Sequence, residues 1–237
     1  MYVSAILLAA GRGLRSKSKI SKPLIKIDSK PVIFYSLKTL SSLAYIKDIV
    51  VVANTRNLKG IVNSINKYRV GRVRRIVYGG KRRQDSVYSG IKAIDKRTDL
   101  VLIHDVARPF IDKKTVISLI REAKRSGAAI AGVPVKATIK SIKVSKCQGV
   151  RVEKTLDRSR LWEIQTPQVF KKSLILKAYK KFNRIDVTDD AMLVEKLGCK
   201  VSIVHGSYSN IKITNPEDIL IAKAILKAKS VKRRIQN

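Results

Sequence analysis

"VSAILLAAGRGLRSK", residues Val3–Lys17, is an apolar run that empties into two glycines and three basic residues. Continuous apolar character without alternation marks a strand buried on both faces, as in a parallel sheet. A tight turn accounts for the glycines, whereas Arg12, Arg15 and Lys17 call for something anionic. Gly11 and Gly13 allow backbone N–H groups to approach phosphate oxygens. Arg15 and Lys22 can set charge along a polyphosphate. The loop lacks the third glycine of a dinucleotide fingerprint and is not GxxxxGK[ST], so neither of those nucleotide motifs is present. In a chain this basic, an ordinary strand-to-helix turn would carry the same residues.

Working outward, β-branched runs alternate with segments of helical period. "PVIFYSLKTLSSL" reads as a helix, then "DIVVVA" as a strand and "LKGIVNSINKY" as a helix. "RRIVYGG", "QDSVYSGIKAI" and "LVLIHDVA" continue the alternation. Asp112 can cap "KKTVISLIREAKRSG", which ends at Gly127 before the strand "AAIAGVPV". This rhythm predicts an α/β fold, a Rossmann-like three-layer sandwich with a mostly parallel sheet. Ligands of such sheets gather at the carboxyl ends of the strands.

After Val135 the period changes to two. "ATIKSIKVSKCQGVRVEKTLD", residues 137–157, holds a Gln-Gly turn and reads as a β-hairpin. It offers no large apolar face, so it is expected to project or to pair with another chain. The α/β rhythm resumes with "SLILKAYKKF", "DDAMLVEKLG" and "KVSIVHG". The last helix opens at "NPED", with Asn215 as cap, Pro216 at the first helical position and acids in the first turn. A single domain, 1–237, with an arm at about 137–157, is the expectation.

The 51 Lys and Arg against 17 Asp and Glu give a formal charge of +34, which draws polyanions. The basic residues are spread along the whole chain, and only "KAKSVKRRIQN" at the end resembles a basic tail. With aromatics at 5% and no recognisable nucleic-acid motif, weak nonspecific affinity is expected, without a specific nucleic-acid partner. No apolar run reaches membrane-spanning length, and the start lacks a signal-peptide pattern. A cytoplasmic protein with Cys147 and Cys199 reduced is expected, and no membrane partner.

Two further places carry chemistry. Asp105 stands at the C-terminal end of the strand in "LVLIHDVARPF", where a carboxylate can hold Mg²⁺ against triphosphate oxygens. A lesser alternative is that it merely caps a turn. His104 beside it reads as packed rather than as a ligand. Gly79 and Gly80 end another strand and permit close approach to a flat base, with Ser86 positioned to hydrogen-bond it. Arg83 and Asp85 fall at the start of the following helix.

"LLAAGRGLRSKSKISKPL", with "GGKRRQDSVYSGI", "LIHDVARPFI", "PVKATIK", "TLDRSRLWEIQTPQVF", "DVTDDAMLVE" and "NIKITNPEDI", resembles the 2-C-methyl-D-erythritol 4-phosphate cytidylyltransferase family, block by block from Ala5 to Ala222. The resemblance implies that CTP and 2-C-methyl-D-erythritol 4-phosphate are joined, with loss of pyrophosphate, in isoprenoid precursor synthesis by the non-mevalonate pathway. It implies Arg15, Lys22 and Lys212 as catalytic residues and Asp105 as the Mg²⁺ ligand. Ala9, Ala10, Gly11, Gly13, Gly79, Gly80, Arg83 and Ser86 would hold CTP. Arg108, Thr138, Arg158, Thr166 and Thr188 would hold the sugar phosphate. In the family the hairpin hooks around the partner of a homodimer and carries Thr138 and Arg158 to the neighbouring site. Ribitol-5-phosphate cytidylyltransferases share most of these blocks and form the alternative.

Three positions depart from the family pattern: Pro23 where Gln is common, Ala137 for an acid, and Lys81 where an acid is common. The expected reaction needs no protein nucleophile, because the attacking phosphate is already an anion. The obstacle is repulsion between two anions, which cations relieve. Lys22→Ala or Arg15→Ala is therefore expected to lower kcat by about 10²-fold or more. Near-normal turnover by either variant would remove this mechanism.

Overall fold

The computed structural model describes residues 1–11, 21–145 and 149–235. Its elements begin with β1 (Val3–Leu8), β2 (Lys26–Ile27), β3 (Lys30–Pro31), α1 (Val32–Ser41), β4 (Ile46–Ala53) and α2 (Leu58–Lys67). Next come β5 (Val73–Tyr78), α3 (Arg83–Ala93), β6 (Leu100–Asp105), α4 (Lys113–Ser126) and β7 (Ala128–Pro134). β8 (Lys140–Ser145), β9 (Gly149–Thr155), β10 (Trp162–Lys171) and α5 (Lys172–Lys181) follow. α6 (Ala191–Glu195), β11 (Ser202–His205) and α7 (Glu217–Ile235) come last.

Seven strands form one sheet in the order β11-β7-β10-β6-β1-β4-β5. β1 pairs in parallel with both β4 and β6, and the chain leaves β1 toward β4 but leaves β6 toward β7, in opposite directions across the sheet. All six residues of β1 are buried, as its unbroken apolar run requires. One face packs Val3, Ala5 and Leu7 under α1, α2 and α4. The other packs Ile6 and Leu8 under α3, α5 and α6. These layers are the three-layer α/β sandwich read from the sequence. Gly90 of α3 sits so close to β1 that a Cβ there would lie 2.5 Å from Ile6 Cγ2.

β10 is the strand that periodicity missed. It runs antiparallel between β6 and β7, with Gln165–Phe170 buried. Its sequence, "WEIQTPQVFK", contains a proline, which argues against a central strand. Pro167 is tolerated because it falls where the register with β7 shifts, between Ile164 and Gln168.

α4 starts and stops as expected: Asp112 accepts from Thr115 N at 2.8 Å, and Gly127 adopts φ 94°. α7 differs. Its start is held by Asp218, whose carboxylate accepts from the N–H groups of Thr214 (2.6 Å) and Asn215 (2.8 Å), rather than by the Asn215 side chain. The helix then continues to Ile235, so most of the expected basic tail is helical.

β8 and β9 form a separate two-stranded ribbon, with Gly149 at φ 69° after the turn. Gln148 and Cys147 lie outside the described residues, while Cys199 is a free thiol. The ribbon also carries a face the sequence reading did not credit. Ile142 pairs with Val152 and Val144 with Val150, which puts four apolar side chains on one side, each at least half exposed. No helix among the described residues is long and apolar enough to cross a membrane.

Candidate active site

Because the chain leaves β1 and β6 in opposite directions, the loops after them separate and leave a crevice at their carboxyl ends. A cleft of about 270 Å³ occupies it, bounded by Leu8–Gly11, Lys22, Pro23, Gly80–Arg83, Ser86, Asp105–Ala107, Lys212 and Ile213. Five of these residues are basic and one is acidic.

The loop after β1 is fixed by the tip of β4. Ala9 N–H donates to Val52 O at 2.7 Å. The Asn57 amide donates to Ala9 O (2.8 Å) and to Ser21 Oγ (3.0 Å), and the Asn54 amide to Ala10 O (3.0 Å). The bond to Ser21 brings the returning chain, and hence Lys22, to the cleft. Lys22 Nζ donates to Thr214 O at 2.7 Å. Gly13 and Arg15 lie outside the described residues.

β5 reaches the same loop so closely that only glycine fits. A Cβ on Gly79 would stand 2.5 Å from Ala10 Cβ and 2.6 Å from Ser86 Oγ. Gly80 N–H donates to the Ser86 hydroxyl (3.1 Å), which donates onward to Arg82 O (3.2 Å). Asp85 meanwhile accepts the Arg82 N–H at 3.0 Å and closes the start of α3.

Asp105 is the acid of the cleft. Arg83 Nε donates to its Oδ1 at 3.2 Å and Lys212 Nζ to its Oδ2 at 2.7 Å. Burial opposes the ionised form, but the two cations outweigh it and hold the carboxyl well below the usual carboxylate range. Arg83 also reaches Asp190, with Nη1 2.9 Å from Oδ2. Asp190 is fully buried and accepts from the Tyr179 hydroxyl at 2.5 Å. Arg83 is thus clamped between two carboxylates, one in the cleft and one beneath it.

Behind Asp105 lies a polar chain. Its N–H donates to Thr166 Oγ1 (3.1 Å), which lies 3.0 Å from His104 Nδ1. His104 Nε2 lies 2.9 Å from Arg108 O. A carbonyl only accepts, so Nε2 carries the proton and Nδ1 accepts from Thr166. His104 is fully buried, and desolvation pushes its pKa down from 6.5 to about 4, keeping it neutral. The Arg108 guanidinium donates to Asn210 O (2.8 Å), and Asn210 donates to Thr166 O (2.9 Å). These bonds tie down the loop that presents Lys212.

The structure therefore gathers Ala9, Ala10, Gly11, Lys22, Gly80, Arg83, Ser86, Asp105 and Lys212 on one cleft, with Gly79 packed behind the wall. Thr166 and Arg108 stand behind Asp105 rather than on the lining. Thr188 is exposed on the loop before α6. Thr138 and Arg158 are exposed at the foot of the ribbon, where Arg158 donates to Lys136 O at 2.7 Å. Sequence reasoning missed Asn54, Asn57 and Asp190. A visible signal for the first two was "ANTRN", two asparagines directly after a buried strand.

Residues 3–228 match the family model for 2-C-methyl-D-erythritol 4-phosphate cytidylyltransferase. A protein of that name from Caldanaerobacter subterraneus subsp. tengcongensis is 42% identical over 230 residues, which is 96% of this chain and 100% of its own. The crystal structure of 4-diphosphocytidyl-2C-methyl-D-erythritol synthase from Anaerococcus prevotii is similar, with TM-score 0.83, 36% identity and coverage of 95% and 96%. That of the cytidylyltransferase from Thermus thermophilus gives 0.77, 29%, and 96% and 100%.

The depressed His104 pKa has a pH signature. Between about 6.5 and 4 the unfolded chain takes up a proton that the native state refuses, so stability falls on acidification across that window. The loss assigned to this one group is at most about 3 kcal/mol. Urea denaturation with EDTA present is expected to show this slope, and His104→Asn to flatten it. An unchanged slope in the variant would refute the assignment.

Proposed function

Since the chain belongs to the 2-C-methyl-D-erythritol 4-phosphate cytidylyltransferase family, we infer that it joins CTP to that sugar phosphate and releases pyrophosphate. The observation that carries this reading is the cation-rich cleft around one ionised aspartate at the switch point of the sheet. An oxygen of the sugar phosphate attacks the α-phosphorus of CTP. A new P–O bond forms and the bond from the α-phosphorus to the bridging oxygen breaks, with both electrons leaving on pyrophosphate.

Each residue has a task set by where charge develops. Lys22 and Lys212 face the triphosphate and the departing pyrophosphate, and Arg15 is assigned the same task through the family pattern. Gly11 borders the phosphate side of the cleft, with Gly13 assigned there through the family pattern, while Gly80 and Ser86 border the cytosine and Gly79 lets β5 approach Ala10. Arg83 keeps Asp105 ionised and aimed. One carboxylate beside bound phosphates is a donor set that suits Mg²⁺, which usually binds one or two carboxylates and substrate oxygens. Asp105 would hold the ion, which supplies neutralisation of phosphate charge. The rest of the acceleration comes from holding both substrates in line.

The relatives' names favour methylerythritol phosphate over the ribitol phosphate alternative. The substrates' phosphates do not cross membranes, which supports a cytoplasmic location. Ile142, Val144, Val150 and Val152 on the ribbon support a homodimer, because a projecting ribbon with an uncovered apolar face invites a second chain. Such an arm would carry Thr138 and Arg158 to the neighbouring cleft.

Incubation with CTP, Mg²⁺ and each sugar phosphate in turn is expected to release pyrophosphate with methylerythritol phosphate, and far less with ribitol 5-phosphate. The reverse preference, or no release with either, would refute the reading. Sedimentation is expected to give a dimer for the native chain and a monomer for Val144→Asp/Val150→Asp. A native monomer, or an unaltered dimer in the variant, would remove the arm's role.

A further inference from the structure

A second basic concavity lies apart from the cleft. α1, the β2–β3 turn, Pro109–Lys113 and α7 enclose a groove of about 960 Å³ that shares no lining residue with the cleft. Seven lysines line it, among them Lys30, Lys38, Lys113 and Lys227, against a single acid, Asp28. Half-buried Phe34 and Tyr35 form its aromatic wall, with ring centroids 5.6 Å apart, backed by buried Phe110 at 6.0 Å from Tyr35. Lys30 and Lys38 hold their ammonium groups 5.1 Å and 5.8 Å from the Phe34 centroid.

What sets the groove apart is the gathering of its cations in one concavity around a single acid. Among the described residues, Lys30, Lys38, Lys113 and Lys227 form no ion pair, and neither does Asp28, the acid of the groove. The reason is visible in the sequence. Residues 22–47 contain one acid, and residues 219–237 contain none. Folding brings these two acid-poor stretches together on the two sides of one groove. Unpaired like charges gathered in a concavity are complementary to a polyanion.

We propose that this groove binds single-stranded polynucleotide, with the lysines on its phosphates and the Phe34 and Tyr35 rings against its bases. Aromatic side chains beside a basic track are what sequence-tolerant strand binding requires. A lipid bilayer is flat and does not enter a concavity. An acidic peptide would meet the lysines but has no need of the rings.

The test is fluorescence anisotropy of the full chain with a labelled oligouridylate, in saturating CTP and Mg²⁺ so that the catalytic cleft is filled. Lys30→Ala/Lys38→Ala/Lys227→Ala is compared with Lys47→Ala/Lys59→Ala/Lys200→Ala, which removes the same charge from exposed positions elsewhere. The groove variant is expected to bind about tenfold more weakly or worse. Its slope of log affinity against log salt is expected to fall by about 2, at roughly 0.7 for each phosphate no longer neutralised. The control variant is expected to stay within about threefold of the native chain, and both to keep cytidylyl transfer. Equal weakening of the two variants would overturn the proposal, since diffuse charge alone would then explain binding. Equal affinity per phosphate for inorganic polyphosphate, or tighter binding of phosphatidylglycerol vesicles or polyglutamate, would overturn the choice of ligand.

Discussion

The grip of Arg83 and Lys212 on Asp105 is the interaction around which the cleft is organised. A carboxylate taken out of water costs several kcal/mol unless charges or hydrogen bonds replace its hydration. Here the replacement comes from the first residue of α3 and from the loop after β11, two places far apart in sequence. Once buried, the acid stays ionised because β5 and β6 and the segment after β11 bring Arg83 and Lys212 to it.

That arrangement needs a rigid back wall, and β10 supplies it. Its antiparallel insertion beside β6 sets Thr166 against the Asp105 N–H and brings Asn210 and Arg108 into one network with His104. A neutral His104 suits this position, because it can accept from Thr166 and donate to a carbonyl at the same time. A charged ring would lose the acceptor at Nδ1 that the Thr166 hydroxyl uses, and would be buried beside Arg108.

Three sets of cations can be told apart within the +34 charge once the chain is folded. Some cations are paired at the surface, as Arg97 and Arg125 are, and contribute little. Others converge on the cleft, where a triphosphate must be held. A third set, Lys30, Lys38, Lys113 and Lys227 in the groove beneath α7, forms no ion pair among the described residues. Average composition does not distinguish the three, since all are Lys or Arg on a surface.

The unbroken apolar run of β1, the α/β rhythm, the caps at Asp112 and Gly127 and the period-two arm were legible in the chain itself. They depend on local periodicity and on single residues whose backbone or side-chain preferences act alone. The glycine turn, Lys22, Asp105 and Lys212 were legible too, the last only through its resemblance to a family block. Tertiary structure decided the rest. β10 reads poorly because its proline is acceptable only at a register shift made by β7, and Asp190 matters only because Arg83 extends to it. Asn54 and Asn57 look like turn residues until their amides are seen holding Ala9 and Ala10. In each case the governing force acts between residues tens of positions apart, where spacing along the chain carries no information about distance in space.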